Sequence, residues 1–161
     1  MSEYTDRALA RLGDRNPFDV LADTPSRLED AFWELGEKRL DSSYAEGKWP
    51  ARSIFAHLAD TEIVYAFRIR QALAADHPTV QPMDQDAWAR RYGNADVALA
   101  LELFRALRYW NLAVLRTLTD EELARPMLHP ERGEEAIALV IGLMAGHDLG
   151  HLEQLRTIAA T

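Results

Sequence analysis

Gly146-His147-Asp148-Leu149-Gly150-His151 sits near the C-terminal end of the chain and decides how the rest is read. The two histidines are four residues apart, inside a segment whose apolar residues recur at helical spacing. On an α-helix four positions amount to about 40° of rotation and about 6 Å of rise, so both imidazoles leave one face. Ile137, Val140, Ile141, Met144, Leu155 and Ile158 mark that face as inward-looking. Two imidazoles directed into a helical core call for a partner, and the partner that suits them is a metal ion with a third ligand from elsewhere.

Working outward, apolar periodicity places helix 4 at about 134–160. Leu28, Ala31, Phe32, Leu35 and Leu40 give helix 1 over about 18–42, with Thr24 as a cap and a break expected near Pro25. Pro50 opens helix 2 at about 50–75. Ile54, Leu58, Thr61, Tyr65 and Ile69 line one side of it, and His57, Thr61, Val64 and Arg68 form an adjoining stripe. Helix 3 covers about 95–118, Thr119–Leu123 reads as a capped turn and Arg125–Gly133 as a loop. Residues 1–16 read as a lead-in helix or a loosely packed arm. No period-2 alternation is long enough for a sheet, and no internal repeat is present. The expectation is an all-α four-helix bundle formed by 1–161 as a single domain.

The connection between helices 2 and 3 is long for a bundle. Residues 76–93, with a turn of helix around Asp84–Arg90, could span a whole helix at up to about 3.5 Å per residue. Helices 2 and 3 are then parallel and helices 2 and 4 antiparallel. That arrangement brings His57 to the depth of His147 and His151. Three imidazoles hold a divalent transition metal (Zn, Ni or Fe) and leave a position open for chemistry. His77 and His129, each beside a proline in a loop, read as ordinary. A zincin reading fails because Asp148 stands where a glutamate base is needed, and a di-iron bundle fails for want of Glu-x-x-His units.

Composition narrows the function classes. The formal charge of −8 and the absence of a basic block argue against nucleic-acid binding. The absence of cysteine removes disulfides, thiolate ligands and a cysteine nucleophile. No apolar run approaches a membrane span, and Met1–Asp6 lacks the pattern of a secretory leader, so the expected location is the cytoplasm.

Two stretches carry a family resemblance: Gly47-Lys48-Trp49-Pro50-Ala51-Arg52-Ser53-Ile54-Phe55-Ala56-His57-Leu58-Ala59-Asp60, and Gly146-His147-Asp148-Leu149-Gly150-His151-Leu152-Glu153-Gln154-Leu155. In this order, and with Asn16-Pro17 and Thr24-Pro25 ahead of them, they resemble the DinB/YfiT-like family of metalloenzymes. The resemblance implies a bundle with a long 2–3 connection, a metal held by His57, His147 and His151, and a homodimer. It also implies a choice of chemistry. The leading expectation is an S-transferase taking a low-molecular-weight thiol such as bacillithiol or mycothiol, whose sulfur the metal activates. Arg68, Arg108 and Asn111 are the candidates to bind a carboxylate of the thiol or small-molecule substrate. The alternatives are a metal-dependent hydrolase and a non-catalytic metal- or ligand-binding bundle. Asp148 and Asp60 are the candidates for hydrogen-bond acceptors behind the ligating histidines, and for the hydrolase's general base.

Overall fold

Capping side chains set most of the helix starts in this computed structural model, which describes residues 2–161. The Ser2 hydroxyl accepts from the Thr5 N–H and opens α1 (Glu3–Leu12). Asn16 accepts from Phe18 with Pro17 at the first helical position, opening α2 (Pro17–Arg39). α3 (Ala51–Ala74) follows Pro50. In the long connection Asp84 caps the single turn α4 (Gln85–Ala89), followed by a 3₁₀ turn at Tyr92–Asn94. Asp96 caps α5 (Val97–Leu115), and a Thr119/Glu122 capping box opens α6 (Asp120–Leu123). A hairpin of β1 (Pro126–His129) and β2 (Gly133–Ala136) then leads directly into α7 (Ile137–Ala159).

The bundle is α2, α3, α5 and α7, the expected helices 1 to 4. α3 and α5 are parallel: Arg52 donates to the Ala95 carbonyl at their starts, 3.0 Å, and Arg70 donates to Asn111 toward their ends, 2.9 Å. α3 and α7 are antiparallel. His57 meets His147 early in α3, while Arg125, whose carbonyl accepts from the first N–H of α7 at Ile137, donates to Ala72 at the end of α3, 2.7 Å. Residues 75–96 make the return that a parallel pair requires.

The core falls into two apolar clusters. One holds Leu21, Ile69, Leu112 and Ile141; the other holds Leu28, Phe55, Phe104 and Leu155. Each long helix changes cluster at mid-height, and there each carries buried polar residues: Thr24 on α2, Glu62 on α3, Arg108 and Asn111 on α5, Asp148 on α7. A polar belt thus crosses the bundle at the depth of the histidines.

Two expectations are corrected. Residues 125–133 are not simply a loop. They contribute β1 and the turn of the hairpin, which a parallel bridge from Thr79 to Leu128 ties to the long connection. Thr24 is not a cap and α2 does not break at Pro25. The Thr24 hydroxyl donates back to Val20, 2.8 Å. Pro25 lacks the N–H that Leu21 would otherwise receive, and Arg108 donates to that carbonyl instead, 3.1 Å. The distortion falls at Gly36, whose φ of 60° suits a residue without a Cβ. Of the two readings of residues 1–16 the lead-in helix holds: α1 packs along α7, burying Thr5, Ala8 and Leu12.

Candidate metal centre

His57 projects from the second turn of α3, and His147 and His151 from successive turns of α7. The Nε2 of His147 lies 3.1 Å from the Nε2 of His57 and 3.1 Å from that of His151. Three ligand atoms thus converge within 4.8 Å of one another. A tetrahedral ion with metal–nitrogen bonds of about 2.0–2.1 Å holds its nitrogens about 3.4 Å apart, so the cluster is close to metal geometry as it stands.

Hydrogen bonding alone does not satisfy it. His151 donates from Nδ1 to the Gln154 side-chain oxygen, 2.8 Å, which leaves its Nε2 a bare acceptor. The single Nε2 of His147 can serve one neighbour, not two. At least one of the two close contacts is therefore made without a hydrogen bond, an arrangement that a cation resolves. Burial, reinforced by the neighbouring histidines, pushes the His57 imidazole down to about 2. Burial and His147 likewise push His151 down to about 3. Both are neutral near pH 7, the form that ligates. Trp49 closes the far side of His57, edge-on with centroids 4.9 Å apart.

The aspartates and the α5 residues serve other purposes. Asp148, 2% exposed, receives Arg108 at 2.6 Å, and its second oxygen stays 4.0 Å from His147 Nδ1. Burial pushes its carboxyl up, but the charge and hydrogen bond of Arg108, together with His147, outweigh this and hold it below the usual carboxylate range. Arg108 also grips both oxygens of Glu62, at 3.1 and 2.8 Å, and Asn111 donates to Glu62 at 2.9 Å. With its bond to Leu21, this guanidinium touches all four bundle helices. Arg108 and Asn111 thus leave the substrate-binding set: their donors are committed inside the belt. Asp60 accepts from the Tyr92 hydroxyl, 2.7 Å, rather than from an imidazole. Arg68 alone of the three polar candidates faces the cleft.

That cleft has a volume of about 400 Å³ and opens onto His57 and His147. Its floor is the α3 stripe of His57, Thr61, Val64 and Arg68. Tyr4 of α1 and Tyr65 of α3, joined through their hydroxyls at 3.1 Å, form one side, and Met83 and Gln85 of the long connection border it. The hairpin supplies His129, Glu131 and Arg132. His129, read from the sequence as ordinary, is 1% exposed, and its Nδ1 accepts from the Glu131 N–H at 3.2 Å. Nothing local announced it, because the hairpin that carries it was not legible. Tyr4 did leave a signal. Gly142, Gly146 and Gly150 repeat every four residues along α7 and mark where another helix approaches closely. A Cβ on Gly146 would lie 2.0 Å from the Ala8 carbonyl oxygen of α1.

The sequence profile of the DinB superfamily matches residues 21–155. The chain belongs to the DinB superfamily. A relative from Oceanobacillus iheyensis is 31% identical over 139 residues, 86% of this chain and 81% of its own length. YfiT of Bacillus subtilis is 31% identical over 144 residues, 87% of this chain and 80% of its own. Both are provisionally named metal-dependent hydrolases. The solved structure of YfiT superposes with a TM-score of 0.84 at 26% identity, over 99% of this chain and 89% of that one, and is described as an unusual four-helix bundle topology. This DinB member is thus a metal-dependent enzyme in outline, with a three-histidine cluster able to hold a divalent ion. Among the described residues no helix is long and apolar enough to cross a membrane.

Proposed function

We propose that the protein is a cytoplasmic metal-dependent hydrolase whose centre is His57, His147 and His151, acting on a small molecule held in the adjoining cleft. The observation that carries this reading is the convergence of three imidazole nitrogens on a point that opens into the cleft, with no fourth histidine or carboxylate joining them among the described residues. A divalent ion such as Zn, Ni or Fe held there would acidify a water and polarise a substrate carbonyl. The chain's own part is to keep His57 and His151 neutral by burial, to orient His151 through Gln154, and to shield His57 with Trp49. Glu131 and His129 are the groups on the cleft wall able to take up or return a proton. The provisional names of the relatives favour the same reaction class.

A thiol-dependent S-transferase is the second reading. It is favoured by one observation: Asp60 and Asp148, the expected bases, are engaged with Tyr92 and Arg108. Cobalt-loaded protein separates the readings. Metal-dependent cleavage of an ester and amide panel, lost in His147→Ala, is the expected result. A sulfur-to-metal charge-transfer band on adding bacillithiol or mycothiol, with no cleavage, would transfer the assignment to the S-transferase. The absence of both would leave a non-catalytic binder.

The exposed apolar residues Leu99 and Trp110 on α5 and Phe67 on α3, each at least 60% exposed, support a homodimer. Light scattering is expected to give twice the chain mass, falling to one chain in Trp110→Glu; a wild-type monomer would remove the dimer.

A further inference from the structure

Arg68 is 5% exposed and carries a charge that nothing in the described chain neutralises. Among the described residues its side chain makes one hydrogen bond, from a terminal nitrogen to the Gln81 backbone carbonyl. Its Nε is buried without a partner. No carboxylate lies within ion-pair distance of it among the described residues. Glu135, whose charge favours the guanidinium, is already held on both oxygens by Arg132 at 2.6 and 2.8 Å. Arg132 itself opposes Arg68, a second positive charge on the same cleft. An arginine does not escape by losing its proton, so a buried unpaired guanidinium is a standing cost in the ligand-free fold. Such a cost is understandable where a ligand supplies the missing charge.

The position of Arg68 says which ligand. It ends the α3 stripe that begins at His57, eleven residues earlier, about 16 Å along a helix axis. Arg68, His57 and His147 nonetheless line one and the same cleft. Between the two lie Thr61 and Val64, a floor with one hydroxyl and no charge. We infer that the substrate of this centre is an extended small molecule with an anionic oxygen group, carboxylate or phosphate, which pairs with Arg68 while its reacting end lies at His57 and His147. The inference rests on the hydrolase reading for the identity of the reacting end, and on Arg68 alone for the charge. The substrate class is then an ester or amide bearing a distal acid, with a short uncharged spacer.

The test uses zinc-loaded wild-type protein and calorimetry. The probes are dicarboxylic acid monohydroxamates of graded chain length and their terminal amides. The hydroxamate occupies the metal end of both, so only the distal charge differs. At the best-fitting length the acid should bind roughly ten- to hundredfold more tightly than the amide, the range for a charge-assisted hydrogen bond. Arg68→Gln should remove that preference while leaving metal content and amide affinity unchanged. A phosphonate-ended series distinguishes phosphate from carboxylate. Acid and amide binding alike at every length in the wild type would overturn the inference, and this comparison decides even if Arg68→Gln fails to fold. Zinc uptake, measured separately by metal analysis, separates the two readings. A protein that takes up no zinc yet prefers the acid would retain the anion site and remove the hydrolase. Zinc loading with no such preference would do the reverse.

Discussion

Arg108 and Arg68 stand on parallel neighbouring helices, and both are buried, at 1% and 5% exposure. Arg108 has two carboxylates, a backbone carbonyl and the ring of Phe104, 4.5 Å from its carbon, disposed around it. Arg68 has one backbone carbonyl. The first guanidinium lies inside the belt and ties four helices together. The second lines the cleft that also contains His57 and His147. Burial alone therefore does not distinguish structural charge from functional charge; satisfaction does. A buried ion network with every partner in place holds helices in register. A buried ion without its partner marks where something else binds.

Breaking the satisfied side should have the largest effect. Arg108→Met strands Glu62 and Asp148 without compensation, and denaturant unfolding should show a loss of about 3–5 kcal/mol; a loss below about 1 kcal/mol would mean the belt is not a clasp. Acid comes next. His57 and His151 titrate at about 2 and about 3 in the fold, against an ordinary 6.5. Between those values the unfolded chain binds protons that the native chain refuses, so metal-free stability falls as pH drops below about 6.5. From pH 7.5 to pH 5.5 the two should together remove about 2–3 kcal/mol. A flat profile would contradict their burial as neutral rings. Gly146→Ala should cost about 1–3 kcal/mol, because α1 must shift away from α7; cleft geometry should change with it, read as altered Tyr4 environment by NMR. Arg68→Gln should be the mildest, within about 1 kcal/mol of wild type or more stable, because removing an unpaired buried charge relieves a cost.

The same contrast explains what the sequence allowed to be read. Helix periodicity, the i,i+4 spacing of His147 and His151, and the stripe from His57 to Arg68 are local patterns, and each was legible. The length of the 2–3 connection then gave the topology. Partner choice was not legible. Arg108 and Arg68 look alike in sequence, because which carboxylates reach a guanidinium depends on α3, α5 and α7 packing together. The hairpin was missed because its four-residue strands include Pro126, Gly133 and two glutamates, too short and too polar to show alternation. His129, placed in a loop instead of this hairpin, reads as ordinary for the same reason. Pro25 misled for a similar reason: its missing N–H is compensated by Arg108, far away in sequence.

The central claim is that His57, His147 and His151 form one metal centre. Metal content and calorimetric titration on purified protein and on His57→Ala, His147→Ala and His129→Ala test it directly. The wild type should take up one equivalent of zinc. His57→Ala and His147→Ala should each lose that binding, and His129→Ala, altered only on the cleft wall, should keep it. A wild-type protein that binds no zinc, or His147→Ala that binds it unchanged, would contradict the account.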